Sequence, residues 1–540
     1  MMLTCADIYS VRSKTESTFY YRPREIADGA SITRQYDQGS IGRLYKVTDS
    51  SGSTTYSYDS HGRVTQKQQV TAAVTLTTNY TYDASGRRAS MTYPSGRQLA
   101  YLYDTGGHVI EIDVDGTPLV SSITYQAFGS AASWTQGSGV STYSRTFDQD
   151  GRVAGINIGA NPTINYTYDA AGRITGIIDS NEVRPNLTAG VTSYSVSGGS
   201  NQILARSGPA AQTYTYDAAG NLINDGTNTY TYDARGRLVQ VTAGSNTTSY
   251  AINGLGQRVS KTGAATTIFA YDEAGHLIGG YDATGNVVQE TVWLGSLPVG
   301  VLKPGALYYV NPDHLGAPRS IIDASGATVW KWDKDLFGNG APTGTLTYNL
   351  RFPGQYFDSE TGLYYNMARD YSPSLGRYIQ SDPIGLRGGV NTYAYVGGNP
   401  VNWVDPEGLQ AIPVPNPLLL PPSGSPSQTQ LTPGQWHQMK DFLNLFNPVP
   451  LLDYLMNQNE GIDKNTDLTD PSTWPEPPVE GECEIGDLSR KKPRERGEKS
   501  LWDPEGGEWR PHKPDKYHPE GHWDYNPPSP NSPWVDIPVK

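Results

Sequence analysis

The stretch YTYDARGRL, residues 230–238, is the clearest copy of a phrase that returns along most of the chain. Two tyrosines separated by one residue lie on the same face of a strand. Asp with Gly three residues later is typical of a turn, because Asp bonds its own backbone and Gly accepts a positive φ. The residues after the Gly then open a returning strand, so each copy predicts one β-hairpin. Other copies are residues 56–64, 80–87, 166–174 and 214–222, with weaker ones at Tyr103-Asp104, Tyr271-Asp272 and Tyr281-Asp282.

A single hairpin of this kind cannot bury its own apolar face, so the hairpins are expected to stack into one sheet. The composition agrees, since 37 Tyr and 59 Gly stand against 9 Phe and 6 Met. Tyr suits strands with one wet face, and Gly suits tight turns. We predict a mostly β protein in which residues 18–345 form one continuous repeat body, preceded by an N-terminal remnant at residues 1–17.

Charge, hydropathy and cysteine usage exclude several classes of protein. A net charge of −13 argues against a nucleic-acid-binding surface over the whole chain, although not against a local site. The chain has no run of about 18 apolar residues, so we predict no membrane span. Its start is too short and too polar for a signal peptide. The two cysteines, Cys5 and Cys483, favour structural thiols over a disulfide framework.

The composition changes abruptly after a repeated phrase. DPIGL at residues 382–386 returns as DPEGL at residues 405–409, and beyond it the chain is rich in Pro, Trp and His. A repetitive body, a junction at residues 346–409 and an unrelated tail together indicate a carrier with a payload.

The repeats resemble the YD repeats of the RHS (rearrangement hotspot) and teneurin families, and residues 306–409 resemble the RHS-associated core. This resemblance implies a spiral β-sheet shell, here short and incomplete. It also implies a polymorphic toxin used against competing bacteria. The repeat Tyr and Asp residues are then scaffold without chemistry. A cell-surface or adhesion protein, or a module that binds glycans through exposed tyrosines, is the alternative.

The resemblance also implies self-cleavage of the Leu409–Gln410 bond, supported by Arg369, Asp370 and Asp382. The residue types suit the task, because two carboxylates held close together keep one proton between them. The charged carboxylate can activate water while the neutral one protonates the carbonyl or the leaving amine. A turn-capping salt bridge is the alternative, and Asp405 is expected only to shape the turn.

Residues 410–480 are predicted to be a Pro-rich linker with two short amphipathic helices between residues 435 and 456. Residues 481–540 are predicted to form a small α+β toxin domain. In this domain Trp502 and Trp509 flank a Gly-Gly turn, which predicts a β-hairpin.

Three histidines within eleven residues mark the candidate site of the tail. Asp515, His518 and Glu520 resemble the active-site phrase of ribosome-cleaving colicin nucleases, which implies a ribonuclease with no cofactor, helped by Arg510 and His522. Alternatively, His512, His518 and His522 bind zinc or another divalent metal for phosphodiester hydrolysis, as in a metal-dependent DNase. A structural role for all of them is the third interpretation.

The resemblance further implies partners and a place of action. These are a cognate immunity protein, RNA or the ribosome as target, and a secretion-system spike or adaptor at the N-terminus. The toxin would be secreted or delivered into a target cell by a type VI-like or other contact-dependent route.

Overall fold

The computed structural model describes residues 24–27, 30–36, 38, 40, 42–126, 130–159, 161–169, 172–179, 192–208 and 211–413, and five segments of the tail: 484–487, 499–502, 508–512, 522–526 and 535–538. The chain divides into two compact units, Met1–Ser427 and Gln428–Lys540. The predicted helices between residues 435 and 456 lie outside the described residues. Among the described residues, no helix is long and apolar enough to cross a membrane.

The first unit begins with a meander of fifteen antiparallel strands, each paired with the next along the chain. Its strands are β1 (Arg24–Ala27), β2 (Ala30–Tyr36), β3 (Leu44–Asp49), β4 (Gly52–Tyr58), β5 (Val64–Thr71), β6 (Val74–Tyr82), β7 (Arg88–Thr92), β8 (Gln98–Tyr103), β9 (Val109–Val114), β10 (Thr117–Tyr125), β11 (Ala131–Gln136), β12 (Ser141–Phe147), β13 (Val153–Ile158), β14 (Asn161–Tyr168) and β15 (Ile174–Asp179).

A short sheet and a second long meander follow. The short sheet has three strands, β16 (Tyr194–Val196), β17 (Ile203–Arg206) and β18 (Gln212–Thr213). The long meander has fourteen: β19 (Thr215–Tyr216), β20 (Leu222–Asn224), β21 (Asn228–Tyr232), β22 (Leu238–Ala243), β23 (Asn246–Ile252), β24 (Arg258–Thr262), β25 (Thr266–Tyr271), β26 (Leu277–Tyr281), β27 (Val287–Leu294), β28 (Leu297–Lys303), β29 (Ala306–Pro312), β30 (Pro318–Ile322), β31 (Thr328–Lys331) and β32 (Thr343–Gly344).

The junction contains two small sheets and two turns of 3-10 helix. Four strands make the first sheet, β33 (Tyr356–Asp358), β34 (Leu363–Asn366), β35 (Arg369–Ser372) and β36 (Arg377–Tyr378). The second sheet pairs β37 (Trp403–Val404) with β38 (Ile412–Pro413). The 3-10 turns are Gly385–Gly388 and Val396–Gly398.

The turn of each repeat is held by its aspartate. Oδ1 of Asp83 accepts hydrogen bonds from the backbone N–H groups of Ser85 and Arg87, both at 2.9 Å. Oδ2 accepts from Nε of Arg87 at 2.7 Å, and Gly86 has a φ of 81°. The phrase thus satisfies its own backbone donors locally, which is why it folds the same way at every copy. The same two backbone bonds occur at Asp59, Asp148, Asp233, Asp272, Asp282, Asp313, Asp323 and Asp335.

The second tyrosine of most copies of the phrase joins one repeat to the one before it. The hydroxyl of Tyr82 donates to the carbonyl of Val64, which opens the returning strand of the preceding repeat, at 2.7 Å. The guanidinium of Arg63, also in the preceding repeat, stacks 4.5 Å from the centroid of the same ring. The corresponding hydroxyl bonds run from Tyr58 to Leu44, Tyr103 to Arg88, Tyr125 to Val109, Tyr168 to Val153, Tyr216 to Ile203, Tyr232 to Leu222 and Tyr271 to Arg258.

The first tyrosine of each full copy is buried, and some of these rings lie where the two long meanders pack against each other. Tyr80 and Tyr166 of the first meander share one apolar cluster with Ile268 and Val299 of the second. Polar bonds cross the same contact, including one from the hydroxyl of Tyr93 to the carbonyl of Thr291 at 2.8 Å. The predicted β-sheet shell of stacked hairpins is therefore confirmed.

The described residues of the tail form a five-stranded antiparallel sheet, in which each strand pairs with the next. The strands are β39 (Glu484–Asp487), β40 (Lys499–Trp502), β41 (Glu508–His512), β42 (His522–Asn526) and β43 (Val535–Pro538). β40 and β41 pair antiparallel with Trp502 opposite Glu508, so the hairpin predicted from the Gly-Gly sequence is confirmed.

Candidate functional site: the junction around Leu409–Gln410

Arg369 lies at the centre of the junction. It is the first residue of β35 and only 3% exposed, and the four strands β33–β36 place it against the turn formed by the second DPxGL phrase. Its Nη1 lies 2.9 Å from Oδ2 of Asp382, and its Nη2 lies 3.3 Å from Oδ2 of Asp405. Its Nε donates to the carbonyl of Gly408. One guanidinium therefore joins the two DPxGL phrases, and in the second phrase it also binds Gly408, the residue just before Leu409.

Asp405 holds the bond predicted to be cut. Its Oδ1 accepts from the N–H of Leu409 at 2.9 Å and from the N–H of Gln410 at 3.1 Å. Its Oδ2 accepts from the hydroxyl of Tyr378 at 2.7 Å. The nitrogen of Gln410 is the leaving nitrogen of the Leu409–Gln410 amide, so the carboxylate of Asp405 is in contact with one end of that bond.

Asp382 lies at the other end of the same amide. Its Oδ1 accepts from the N–H of Ile384 at 2.9 Å, which turns the chain after the first DPxGL phrase. Its Oδ2 and the carbonyl oxygen of Leu409 both lie close to the position that a Cβ atom on Gly388 would occupy. Burial raises the pKa of Asp382 above the usual aspartate value, Arg369 and the N–H of Ile384 oppose this, and Asp405 adds to it. A carboxyl group of this kind keeps its proton to a higher pH than an exposed one.

Asp370 follows Arg369 directly, yet its carboxylate points to a different partner. Its Oδ2 accepts from Nε2 of Gln380 at 2.7 Å, while its backbone N–H donates to Oε1 of the same glutamine at 2.8 Å. Burial raises the pKa of Asp370 to about 7, although Gln380 stabilises the charged form. No hydrogen bond or ion pair joins Asp370 to Asp382, both of which lie in the described part of the chain. The two carboxylates that share a cation are Asp382 and Asp405.

The candidate residues of the tail are only partly within the described strands. Arg510 and His512 lie in β41, where they are the register partners of Asp524 and His522 in β42. Asp515, His518 and Glu520 lie outside the described residues. Among the described residues, no group of three or more His, Cys, Asp or Glu side chains is placed to hold a metal ion.

Two family models match the first unit. Residues 192–290 match the Teneurin YD-shell model, and residues 40–73 and 82–118 match the RHS Repeat model. The chain therefore contains RHS and YD repeats. The matched segments cover strands of both long meanders, so the family assignment and the observed shell rest on the same residues.

The relatives of this chain include toxins. It is 27% identical to "Double-stranded DNA deaminase toxin A" of Burkholderia cenocepacia, over 76% of this chain and 34% of that protein. It is 39% identical to "Probable deoxyribonuclease RhsA" of Dickeya dadantii, over 19% of this chain and 8% of that protein. The chain thus spans about a third of the length of the first relative and much less of the second.

A solved structure shares the fold of the RHS shell. The crystal structure of TcdB2-TccC3 without its hypervariable C-terminal region superposes with a TM-score of 0.52 and 19% identity. The match covers 71% of this chain and 26% of that one. At this level of identity the match supports the fold.

Asp405 is the residue of the RHS junction whose position the sequence did not reveal. The sequence predicted that it would shape the turn, which its bonds to Leu409 and Gln410 do. Its contact with Arg369 brings it together with Asp382 as well. The repetition of the DPxGL phrase was the sequence signal that could have indicated this role for Asp405. Each copy supplies one aspartate, and the two aspartates can approach the two ends of one peptide bond.

Proposed function

We propose that this chain is an RHS-type polymorphic toxin whose junction cleaves its own Leu409–Gln410 bond and whose tail is the toxic effector. One observation carries the first part of this proposal. Asp405 accepts a hydrogen bond from the nitrogen of the Leu409–Gln410 amide, Oδ2 of Asp382 and the carbonyl oxygen of Leu409 both lie close to the Cβ position of Gly388, and Arg369 contacts both carboxylates.

The reaction is hydrolysis of an amide. Water adds to the carbonyl carbon of Leu409, the carbon–nitrogen bond breaks, and Leu409 becomes a carboxylate. Both hydrogens of the water end on the nitrogen of Gln410, which leaves as a protonated amine. Asp382, whose pKa is raised by burial, supplies a proton toward the carbonyl oxygen, and Asp405 relays one to the leaving nitrogen. Arg369 stabilises the negative charge that remains on the pair.

Asp370 keeps a place in this proposal as a proton reservoir. It is buried beside Arg369, and its pKa of about 7 lets it gain or lose a proton near neutral pH. Its bond to Gln380, two residues before Asp382, also fixes the alignment of the two segments that carry Arg369 and Asp382.

The test is to follow the purified chain over time by denaturing electrophoresis and intact mass. The wild type should give two fragments that meet at Leu409–Gln410, whereas Asp382→Asn should stay in one piece. Intact mass is needed because an N-terminal glutamine cyclises and resists Edman degradation. Asp323→Asn is the matched control, because the carboxylate of Asp323 caps a repeat turn through backbone bonds to Ser325 and Ala327 of its own turn. A wild type that folds and remains intact would overturn the proposal.

We propose further that the tail, residues 481–540, is a nuclease, with RNA as the favoured substrate. Glu520 or Asp515 removes the proton of the 2′-hydroxyl, His518 protonates the leaving 5′-oxygen, and Arg510 stabilises the phosphate, with His522 beside them. Relatives named as a DNA deaminase and a probable deoxyribonuclease support an enzyme that acts on nucleic acid.

The sequence argues against one other enzyme class, and a second class stays open. Zinc deaminases use an H-x-E and a P-C-x-x-C signature, and a chain with only Cys5 and Cys483 cannot supply the second. A metal-dependent nuclease that uses His512, His518 and His522 remains the second candidate. The pairing of His512 with His522 across β41 and β42 is the observation that favours it, since it brings two of the three ligands to adjacent positions.

Expression of the full chain in bacteria tests the tail. Wild type should stop growth and degrade RNA, and co-expression of a small cognate immunity protein should restore growth. His518→Ala should abolish killing, because general acid–base groups contribute about a hundred- to ten-thousand-fold in rate. His61→Ala, in a repeat turn, should leave killing unchanged.

A chelator distinguishes the two candidate sites. Activity that survives the chelator supports the metal-free site, and activity that is lost and then restored by zinc supports the metal-dependent site. Undiminished killing by a His518→Ala, Glu520→Ala double variant would exclude both.

We propose that the toxin acts after delivery into a neighbouring cell. An immunity protein, a target of RNA or the ribosome, and a spike or adaptor of a secretion system are its proposed partners. An adhesion protein with the same shell would neither kill on expression nor need an immunity protein, so the same growth assay separates the two.

A further inference from the structure

The segment between the two DPxGL phrases begins with a closed loop. The N–H of Asp382 donates to the carbonyl of Thr392 at 2.9 Å, which brings the two ends of the loop together. Within the loop, residues Gly385–Gly388 form a turn of 3-10 helix. Leu386 on this turn is 76% exposed, so the loop turns its apolar side chains outward and its glycine backbone toward the junction.

Gly388 is the point at which this loop contacts the junction. A Cβ atom built on Gly388 would overlap Oδ2 of Asp382, lie 2.8 Å from Cγ of the same carboxyl group and lie 3.2 Å from the carbonyl oxygen of Leu409. The side chain of Asp382 therefore occupies the space that any other residue at position 388 would fill. The same space borders the carbonyl oxygen of the Leu409–Gln410 bond.

We propose that Gly388 is a positioning residue for self-cleavage, because its missing side chain allows the carboxyl group of Asp382 to reach the carbonyl of Leu409. This inference rests on the proposed cleavage of that bond. Gly388 takes no part in the chemistry itself. It acts through Asp382, whose Oδ2 is the atom nearest to the absent Cβ and also the atom that binds Arg369.

The loop cannot easily move away from such a clash. On its far side, Nδ2 of Asn201 donates to the carbonyl of Val390 at 3.3 Å, and Nη2 of Arg377 donates to the carbonyl of Asn201 at 2.6 Å. Asn201 belongs to another part of the first unit and is itself held by Arg377, so one hydrogen bond supports the loop on its outer side in addition to the bond that joins its ends. An added methyl group at residue 388 would therefore displace Asp382 rather than the loop.

An alanine at residue 388 separates this steric effect from backbone strain. The φ of Gly388 lies outside the left-handed region, so alanine is compatible with its backbone. Gly389, next to it, has a φ of 129° and no atom within 4 Å of a built Cβ. Gly389→Ala therefore strains the same loop without contacting Asp382, and it serves as the matched control.

The experiment measures the rate at which newly translated full-length chains become two fragments, for wild type, Gly388→Ala and Gly389→Ala. Displacement of a reacting group by about 1 Å can cost about a hundredfold in rate, and we expect a loss of that order for Gly388→Ala alone. Its melting temperature should match that of Gly389→Ala or exceed it.

The pH profile of cleavage gives a readout that a purely structural role would not move. Arg369 and Asp405 are the charged groups that face Asp382, and the first favours its ionised form. Pushing Oδ2 away from Arg369 should therefore move the limb of the profile that belongs to Asp382 to higher pH in Gly388→Ala, and not in Gly389→Ala.

The possible failures are distinguishable. If wild type does not cleave, the proposed function itself is wrong. If wild type and Gly388→Ala cleave at the same rate, or if Gly389→Ala is slowed as much as Gly388→Ala, the cleavage stands and the positioning role of Gly388 is overturned.

Discussion

Oδ1 of Asp405 lies 3.1 Å from the backbone nitrogen of Gln410, within hydrogen-bonding distance of the group that leaves when the Leu409–Gln410 bond is cut. The same oxygen also accepts from the N–H of Leu409. A capping residue of a turn is thus in contact with the proposed reaction. This double role makes Asp405 the most informative residue to change.

Asp405→Asn should leave the chain uncut. An asparagine can still accept through its oxygen, but its amide group then faces Arg369 and the hydroxyl of Tyr378, both of which donate to the carboxylate. The measurement is the fraction of intact chain after folding. Asp282→Asn is the control, since Asp282 caps an exposed repeat turn through equivalent backbone bonds. Cleavage of Asp405→Asn at the wild-type rate would contradict the role given to Asp405.

Asp370→Asn should change how stability depends on pH. Burial raises the pKa of Asp370 to about 7 in the folded chain, whereas an unfolded chain releases this proton near the usual aspartate pKa of about 3.9. The folded state therefore binds the extra proton between these values, and stability falls as the pH rises from about 4 to about 7. A shift of this size is worth about 4 kcal/mol.

The measurement for Asp370 is the difference in melting temperature between pH 4.5 and pH 8, in each variant separately. Asp370→Asn should lose most of the decline seen in wild type, because asparagine does not titrate. Comparing each variant with itself removes any constant effect of the substitution. An unchanged decline would show that another group is responsible.

Asp358→Asn should destabilise the first unit strongly. Asp358 forms a buried ion pair with Arg258, and both side chains are 2% exposed. Removing one partner of a buried pair leaves the other charge unpaired and costs about 3–5 kcal/mol. Asp59→Asn is the control, because its pair with Arg63 is partly exposed and worth about 1 kcal/mol or less. Thermal melting distinguishes the two, and equal losses would contradict the difference in burial.

Tyr82→Phe should cost about 0.5–1.5 kcal/mol, because it removes the hydrogen bond to Val64 while keeping the ring. Tyr45→Phe is the control. Tyr45 lies in the same meander, and its hydroxyl has no hydrogen bond to any described residue. Hydrogen exchange of the amides in β5 reports the change directly. Equal protection in the two variants would mean that the hydroxyl bond adds nothing to the packing of the ring.

The shell could be predicted from the sequence because its repeat is local. The Asp83 turn satisfies its own backbone over five residues, and the alternation of Tyr80 and Tyr82 sets the buried face without help from distant residues. The hydroxyl bond of Tyr82 to the preceding repeat was not predicted, because it depends on how neighbouring hairpins align.

The junction could be predicted only in part. The resemblance supplied Arg369, Asp370, Asp382 and the position of the bond. Spacing along the chain cannot show which side chain each of the two carboxylates, Asp370 and Asp382, contacts. Gln380 binds Asp370, and Arg369 binds Asp382. These contacts depend on the register between β35 and the segment that follows β36. Gly388 gave no signal in the sequence, since a glycine in a loop is usually explained by its own backbone.

The bond from each tyrosine hydroxyl to the carbonyl of the previous repeat bears on how such arrays can change over generations. A hairpin that carries this bond presents a backbone acceptor to its successor and donates to the same kind of acceptor in its predecessor. If one complete hairpin is duplicated or lost, the hairpins that become neighbours are therefore equivalent to the original ones. The tyrosine hydroxyl at the new boundary still finds a carbonyl acceptor. Recombination between copies of the phrase can alter the length of the array by whole units while the junction and the tail stay unchanged.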